Sequence, residues 1–234
     1  TMTTHDLYVL SPYLGVAEVA ILVILLDLVV RRKGLLPVFA LLGLLAPLAM
    51  SLIQAFDLED SVSLLQGSDP LSSGQASILL GSLSVDRFAL FFNFLILAAS
   101  GLVILASTDY VRKMERFQGE YYGLILFSAT GMMLLAAATE LITIYISLEL
   151  ATLPLAALTA FLMTSKSSEA GIKFLIVGAI SSAIMLYGMA LIFGFSGTTQ
   201  LSEISASVGA ATGGLSSGNY ALLVGVVLMV VGFG

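Results

Sequence analysis

The 234-residue chain is 59% hydrophobic and 10% charged, with a mean hydropathy of +1.07 and a net charge of −6. Soluble domains carry about 25% charged residues, so this composition excludes an ordinary water-soluble fold and indicates an integral membrane protein. With no cysteine in the chain, disulfides, thiolate nucleophiles, Cys-ligated zinc and Cys-held iron–sulfur clusters are excluded, and the few Lys and Arg form no basic surface for nucleic acid.

Residues 1–8 lack the positive n-region of a secretory signal, so the first apolar run is read as a mature helix. A bilayer core takes about 20 apolar residues per helix. On that ruler the spans fall at 12–30, 35–56, 88–107, 121–138, 141–163 and 172–194, giving an all-α, polytopic transmembrane helix bundle. A seventh run starts near Tyr220 and holds 15 residues up to Gly234, short of the roughly 17 needed to cross. The expectation is a helix that continues past Gly234 in a longer protein, of which this is the N-terminal part.

Between spans two and three, Asp57 to Ser77 is acidic and Gly/Ser-containing, and Ile78 to Asp86 is expected to be extended. The second long loop, Phe195 to Asn219, is rich in Gly, Ser and Thr, and Leu201, Ile204 and Val208 predict one short surface helix within it. Its glycines form no phosphate-binding loop, because no Lys-Ser/Thr follows and no strand precedes. Basic residues follow alternate spans: Arg31, Arg32 and Lys33, then Arg112, Lys113 and Arg116, then Lys166. Seven of the nine Lys and Arg thus share one side while loops 57–77 and 195–219 hold none, which places the N-terminus outside by the positive-inside rule.

Chemistry concentrates on the fifth span. Glu149 lies in a 44-residue stretch, Tyr121 to Thr164, whose only other charged residue is Glu140. A charge at bilayer depth costs ~2.5–3.5 kcal/mol on insertion scales, and such residues face a bundle interior and serve ion or proton movement. Tyr145, Glu149 and Thr152 sit at i−4, i and i+3, on one helix face. Pro154 removes the donor that would bond the Leu150 carbonyl, predicting a free acceptor and a kink beside the glutamate. Desolvation favours the neutral acid and an adjacent cation the ionised one, so a movable neighbouring charge can drive proton uptake and release. A permanently protonated Glu149, hydrogen-bonded between helices, is the plainer alternative.

Lys173 has two readings: a surface pair with Glu169 four residues earlier, or an inward-facing cation partner for Glu149 or a later helix. Behind it, Gly178, Ala179, Ser181, Ser182 and Ala183 predict close approach of another helix. Asp27 is expected to pair with Arg31. Glu18, inside span one, has no local partner, and a neighbouring subunit or headgroup-level water stands beside a proton role. Asp86, Arg87 and Glu140 are expected as interfacial anchors; His5 is read as incidental and the methionines as packing. No nucleophile–base pair, metal-ligand cluster or cofactor motif is present.

The run from Glu120 to Leu201, with the acid in SLEL, the proline in TLPL and the lysine in EAGIKF, closely resembles the antiporter-like membrane subunits of bacterial proton-pumping NADH:quinone oxidoreductase, respiratory complex I. The resemblance extends more loosely over spans one to three. It implies a proton-translocating subunit in which Glu149 and lysines on neighbouring helices, Lys173 here, relay protons. It implies three N-terminal helices with an acidic outer loop over 1–111, then the start of an antiporter-like repeat over 112–234, with the repeat's central lysine lying past Gly234. It further implies no cofactor in this chain, partner subunits carrying NADH, quinone, flavin and iron–sulfur clusters, and a place in the bacterial inner membrane. Two alternatives remain: a cation/proton antiporter or membrane-bound hydrogenase subunit, and a structural scaffold whose buried charges only fix helix packing.

Overall fold

The computed structural model describes residues 4–29, 35–64, 76–78, 82–111, 117–210 and 220–233. Their elements are α1 (Thr4–Val29), α2 (Leu36–Leu64), β1 (Ala76–Ile78), β2 (Leu83–Val85), α3 (Arg87–Val111), α4 (Gln118–Ala137), α5 (Leu141–Thr159), α6 (Ser165–Ser196), α7 (Leu201–Ala210) and α8 (Tyr220–Phe233). Six are long and apolar enough to cross a membrane: Leu7–Val29, Leu36–Phe56, Arg87–Val111, Gln118–Ala137, Leu141–Thr159 and Ser165–Ser196. They match the six spans expected from apolar run length, and the protein is a multi-pass membrane helix bundle.

Differences lie at the edges. α2 continues to Leu64, so the first part of the acidic segment taken for loop is helix. α6 begins at Ser165, earlier than expected, and its 32 residues make about 48 Å at 1.5 Å per residue, more than the ~30 Å hydrocarbon core. β2 and Ile78 are extended as expected, in an antiparallel hairpin with Ile78 opposite Leu83. α7 is the short helix expected in 195–219; Ile204 and Val208 turn inward, while Leu201 is exposed.

Two apolar clusters hold the bundle. One draws on α1–α4 and β2 around Tyr13, Leu36, Ile104, Tyr122 and Met133; the other joins α5, α6 and α8 around Leu141, Met185, Met189, Ile192 and Leu222. Lipid tails are as apolar as leucine, so helix association relies on close packing and on hydrogen bonds. Both are visible. A side chain at Gly123 would strike Ile24 on α1 at 2.6 Å, and one at Gly188 on α6 would strike the Gly225 carbonyl of α8 at 2.7 Å. Pro12 removes the amide that would bond Tyr8 within α1; the buried Gln54 of α2 donates to that carbonyl at 2.8 Å, and Ser11 Oγ at 2.6 Å.

The end of the bundle where β2 lies is stitched by backbone bonds. Thr139 N donates to Ser82 O at 3.0 Å, Leu141 N to Thr199 O at 3.0 Å, and Leu201 N to Thr139 O at 3.1 Å. The turn before α5 is thereby tied both to the hairpin and to the start of α7.

Candidate functional site: the α5–α6 cavity

Glu149 lies at the middle of α5 and is half-buried. Its side chain lines a cavity of about 360 Å³ with Tyr145 and Thr152 of α5 and Phe174, Gly178 and Ser182 of α6. The face expected from the i−4, i, i+3 spacing is therefore real, and Tyr145 is close enough to hydrogen-bond the carboxylate. Thr152 differs from expectation. Its hydroxyl donates back to the Leu148 carbonyl at 3.0 Å and lies 3.5 Å from the Glu149 carbonyl, so it contributes acceptor character to the cavity and no free proton.

The turn opened by Pro154 faces the other way. α5 stays helical through the buried proline, and the Leu150–Ala151 backbone packs on Gly131 of α4, where a Cβ would come within 2.7 Å of the Leu150 carbonyl carbon. Ser128 Oγ, also on α4, donates to the Ala151 carbonyl at 2.8 Å in a buried bond. The weak turn of α5 is thus covered by α4, and the expected free acceptor is not part of the cavity. Ser128 and Gly131 were missed at the sequence level; a serine and a glycine three residues apart in an apolar helix were the available signal.

The small residues of α6 also divide. A Cβ at Gly178 would meet nothing within 4 Å, so together with Ala179, Ser182 and Ala183 this glycine leaves the space that becomes the cavity. Close approach occurs further along, where Gly232 of α8 packs on the Ser181 carbonyl and on Met185.

Lys173 is not brought to Glu149. Its Nζ lies 2.6 Å from Glu169 Oε1, with the two side chains 72% and 64% exposed, so the structure realises the i,i+4 surface pair. The neighbouring Phe174 and Leu175 line the cavity while Lys173 flanks it.

One other acid, Glu140, departs from expectation. Glu140 is no plain interfacial anchor: Thr199 Oγ1 donates to its Oε1 at 2.6 Å, and Thr143 Oγ1 lies 3.5 Å from Oε2, so it helps to lock the turn before α5 to the α6–α7 connection. Asp27 is half-buried and packs against Gly119 at the start of α4, a position where helix amides favour a carboxylate; Arg31, its expected partner, is outside the described residues, as is the side chain of His5. Asp86 caps α3, accepting from Ala89 N at 2.8 Å. Glu18 is exposed. Among the described residues no cluster of His, Cys, Asp or Glu could hold a metal ion. A larger cavity of about 910 Å³, between α3, α4 and α5 with Phe233 of α8, is lined by no Asp, Glu, His, Lys or Arg; Tyr121 is the one titratable group in its lining.

Comparison with known proteins agrees with this architecture. Residues 138–234 match the family model described as NADH:quinone oxidoreductase/Mrp antiporter, TM. NADH-quinone oxidoreductase subunit N of Trichlorobacter lovleyi is 47% identical over 153 residues, 65% of this chain and 31% of that protein. Subunit N of Desulfitobacterium hafniense is 40% identical over 206 residues, 87% of this chain and 37% of that protein. The chain thus spans about a third of the length of these relatives. Among solved structures, a chain of respiratory complex I from Thermus thermophilus with bound aureothin superposes with a TM-score of 0.67 at 26% identity, over 95% of this chain and 43% of that one. A chain of an archaeal membrane-bound sulfane sulfur reductase superposes with a TM-score of 0.72 over 97% of this chain and 44% of that one; at 22% identity it supports the fold alone. By this agreement in sequence and in architecture, the chain belongs to the family of antiporter-like membrane subunits typified by NADH-quinone oxidoreductase subunit N.

Proposed function

We propose that the protein is a proton-translocating membrane subunit of a complex I-type NADH:quinone oxidoreductase, and that Glu149 is the acid that takes up and releases the proton. The observation that carries this reading is the placement of Glu149 at mid-helix, half-buried, in a cavity shared with Tyr145 and Ser182. Desolvation favours the neutral acid, and a cation or water entering the cavity favours the carboxylate, so a change in what faces Glu149 moves a proton. The other subunits of the assembly carry NADH, quinone, flavin and iron–sulfur clusters, and this chain has only proton chemistry. It sits in the bacterial inner membrane with its N-terminus outside, consistent with the side-to-side distribution of Lys and Arg. Residues 1–111 form a three-helix leader and 112–234 begin the translocating repeat.

In this reading Lys173 is the mobile charge. Released from Glu169, it can swing from the exposed face of α6 toward the cavity, whose lining begins at the next residue, Phe174. The breaking of an exposed i,i+4 pair costs only ~0.3–0.5 kcal/mol, which makes such an exchange feasible during turnover.

The test is Glu149→Gln in the full-length subunit within its complex. Protons moved per electron in sealed membrane vesicles are expected to fall while NADH oxidation by the detergent-solubilised complex continues. An unchanged ratio would remove Glu149 from the proton route. A cation/proton antiporter would instead show transport that depends on sodium and continues without NADH, and a pure scaffold would keep its pumping when Glu149 and Lys173 are both replaced by leucine.

A further inference from the structure

α1 carries two seams, one of which is packed among the described residues. Val9, Tyr13, Val16, Ala20 and Val23, spaced four and three residues apart, are all buried, in the core cluster built with α2, α3 and α4. This is the 3.5-residue repeat of left-handed helix packing. On the opposite face, offset by two residues, Leu7, Ser11, Leu14, Glu18, Ile21, Leu25 and Leu28 repeat the same spacing over the whole span. All of these are exposed except Ser11, which is half-buried. Six of the seven positions are Leu, Ile or Ser; Glu18 alone is ionisable, and it lies at the centre of Leu7–Val29.

A carboxyl group exposed to lipid at mid-bilayer is the arrangement that membrane proteins avoid; acids at that depth face protein or water and pair with other groups. A single polar residue within an otherwise apolar repeat is also how helix pairs fix register and partner. We infer that this second seam of α1 receives a transmembrane helix of a neighbouring subunit, one that presents a lysine or arginine at mid-depth opposite Glu18. The inference rests on the reading of the protein as one subunit of a multi-subunit membrane complex. Charge complementarity selects the occupant: a lipid acyl chain offers Glu18 no donor, and a second copy of α1 would set two carboxylates facing each other. The described helices are arranged away from the seam, since α1 packs mainly on α2 and α4 while α8 packs on α6.

Residues 1–234 hold no cysteine; in a full-length subunit whose remaining cysteines, if any, are replaced by serine, single cysteines are placed at Ile21 and Leu25 and spin-labelled. In the full-length subunit alone in membranes, both labels are expected to show the high collisional oxygen accessibility of a control label at Leu102 of α3, which is 66% exposed. In the assembled complex their accessibility is expected to fall several-fold while Leu102 serves as the reference. Labels that stay accessible in the complex would overturn the inference, and so would labels already shielded in the subunit alone, which would mean that its own chain or a second copy fills the seam. Glu18→Leu is expected to lose the neighbouring subunit on purification while Glu18→Gln retains it; full retention with leucine would also count against a charged partner. If Glu18→Leu does not accumulate, the labels decide alone. The proton role of Glu149 is read separately, from pumping by Glu149→Gln, so either idea can fail without the other.

Discussion

At the scale of residues, the site rests on one acid and the groups that hold its helix in place. Ser128 and Gly131 touch the back of α5 at Ala151 and Leu150, the turn that Pro154 weakens. Removing the hydroxyl with Ser128→Ala is expected to cost about 0.6 kcal/mol, the average for interhelical hydrogen bonds in membranes, and at most about 1.7 kcal/mol. Gly131→Leu forces a side chain into backbone and is expected to cost more, ~1–3 kcal/mol or a failure to assemble. Thermal unfolding of the purified full-length subunit measures both, and equal stability of the two variants would contradict the packing described. Lys173→Ala separates structure from function: its exposed pair with Glu169 supports at most ~0.5 kcal/mol, so the melting temperature should hardly move. A fall in pumping without loss of stability would then mark Lys173 as part of the relay, and unaltered pumping would leave it as surface charge.

At the scale of elements, the turn before α5 is the mechanical link. It is joined to the β1–β2 hairpin through Thr139 and to the start of α7 through Leu141, Leu201 and the Glu140–Thr199 bond. Glu149 follows about two and a half turns down a rigid helix, so movement at that junction displaces the acid. Glu140→Ala leaves the backbone bonds in place and removes the carboxylate; it is expected to lower pumping partially and to increase amide hydrogen exchange over 199–201, whereas exchange unchanged from the parent would deny the linkage. This junction was not legible in the sequence, because it depends on bonds between residues about 60 positions apart, and Glu140 looked like an ordinary interfacial acid. What was legible followed local periodicity. Spans are set by apolar length, and Tyr145, Glu149 and Thr152 share a face because of helix geometry alone. The stripe Gly178–Ala183 shows the limit of that method: small residues permit approach without requiring it, and here Gly178, Ala179, Ser182 and Ala183 border a cavity while Ser181 meets α8.

At the scale of the whole molecule, the Lys and Arg of alternate loops support the proposed sidedness of the six spans, with the N-terminus outside. Cysteines introduced at Lys166 and Glu203, both exposed in regions flanking spans, should be labelled by an impermeant maleimide from opposite sides, Glu203 from outside and Lys166 from inside. Labelling of both from one side would invalidate the span count. Fold and family were legible from long apolar runs and from a few residues in fixed order, but the placement of Lys173 was not, since spacing permits both an exposed pair and an inward cation and only packing chooses.

Infrared difference spectroscopy of the full-length complex, comparing the resting enzyme with the enzyme turning over NADH, tests proton exchange at Glu149 most directly. A carboxylic acid carbonyl band should appear or disappear with turnover and be absent from the same difference spectrum of Glu149→Gln. The same band persisting unaltered in that variant, or no carboxylic acid signal in the parent complex, would contradict the assignment of Glu149 as the proton-exchanging group.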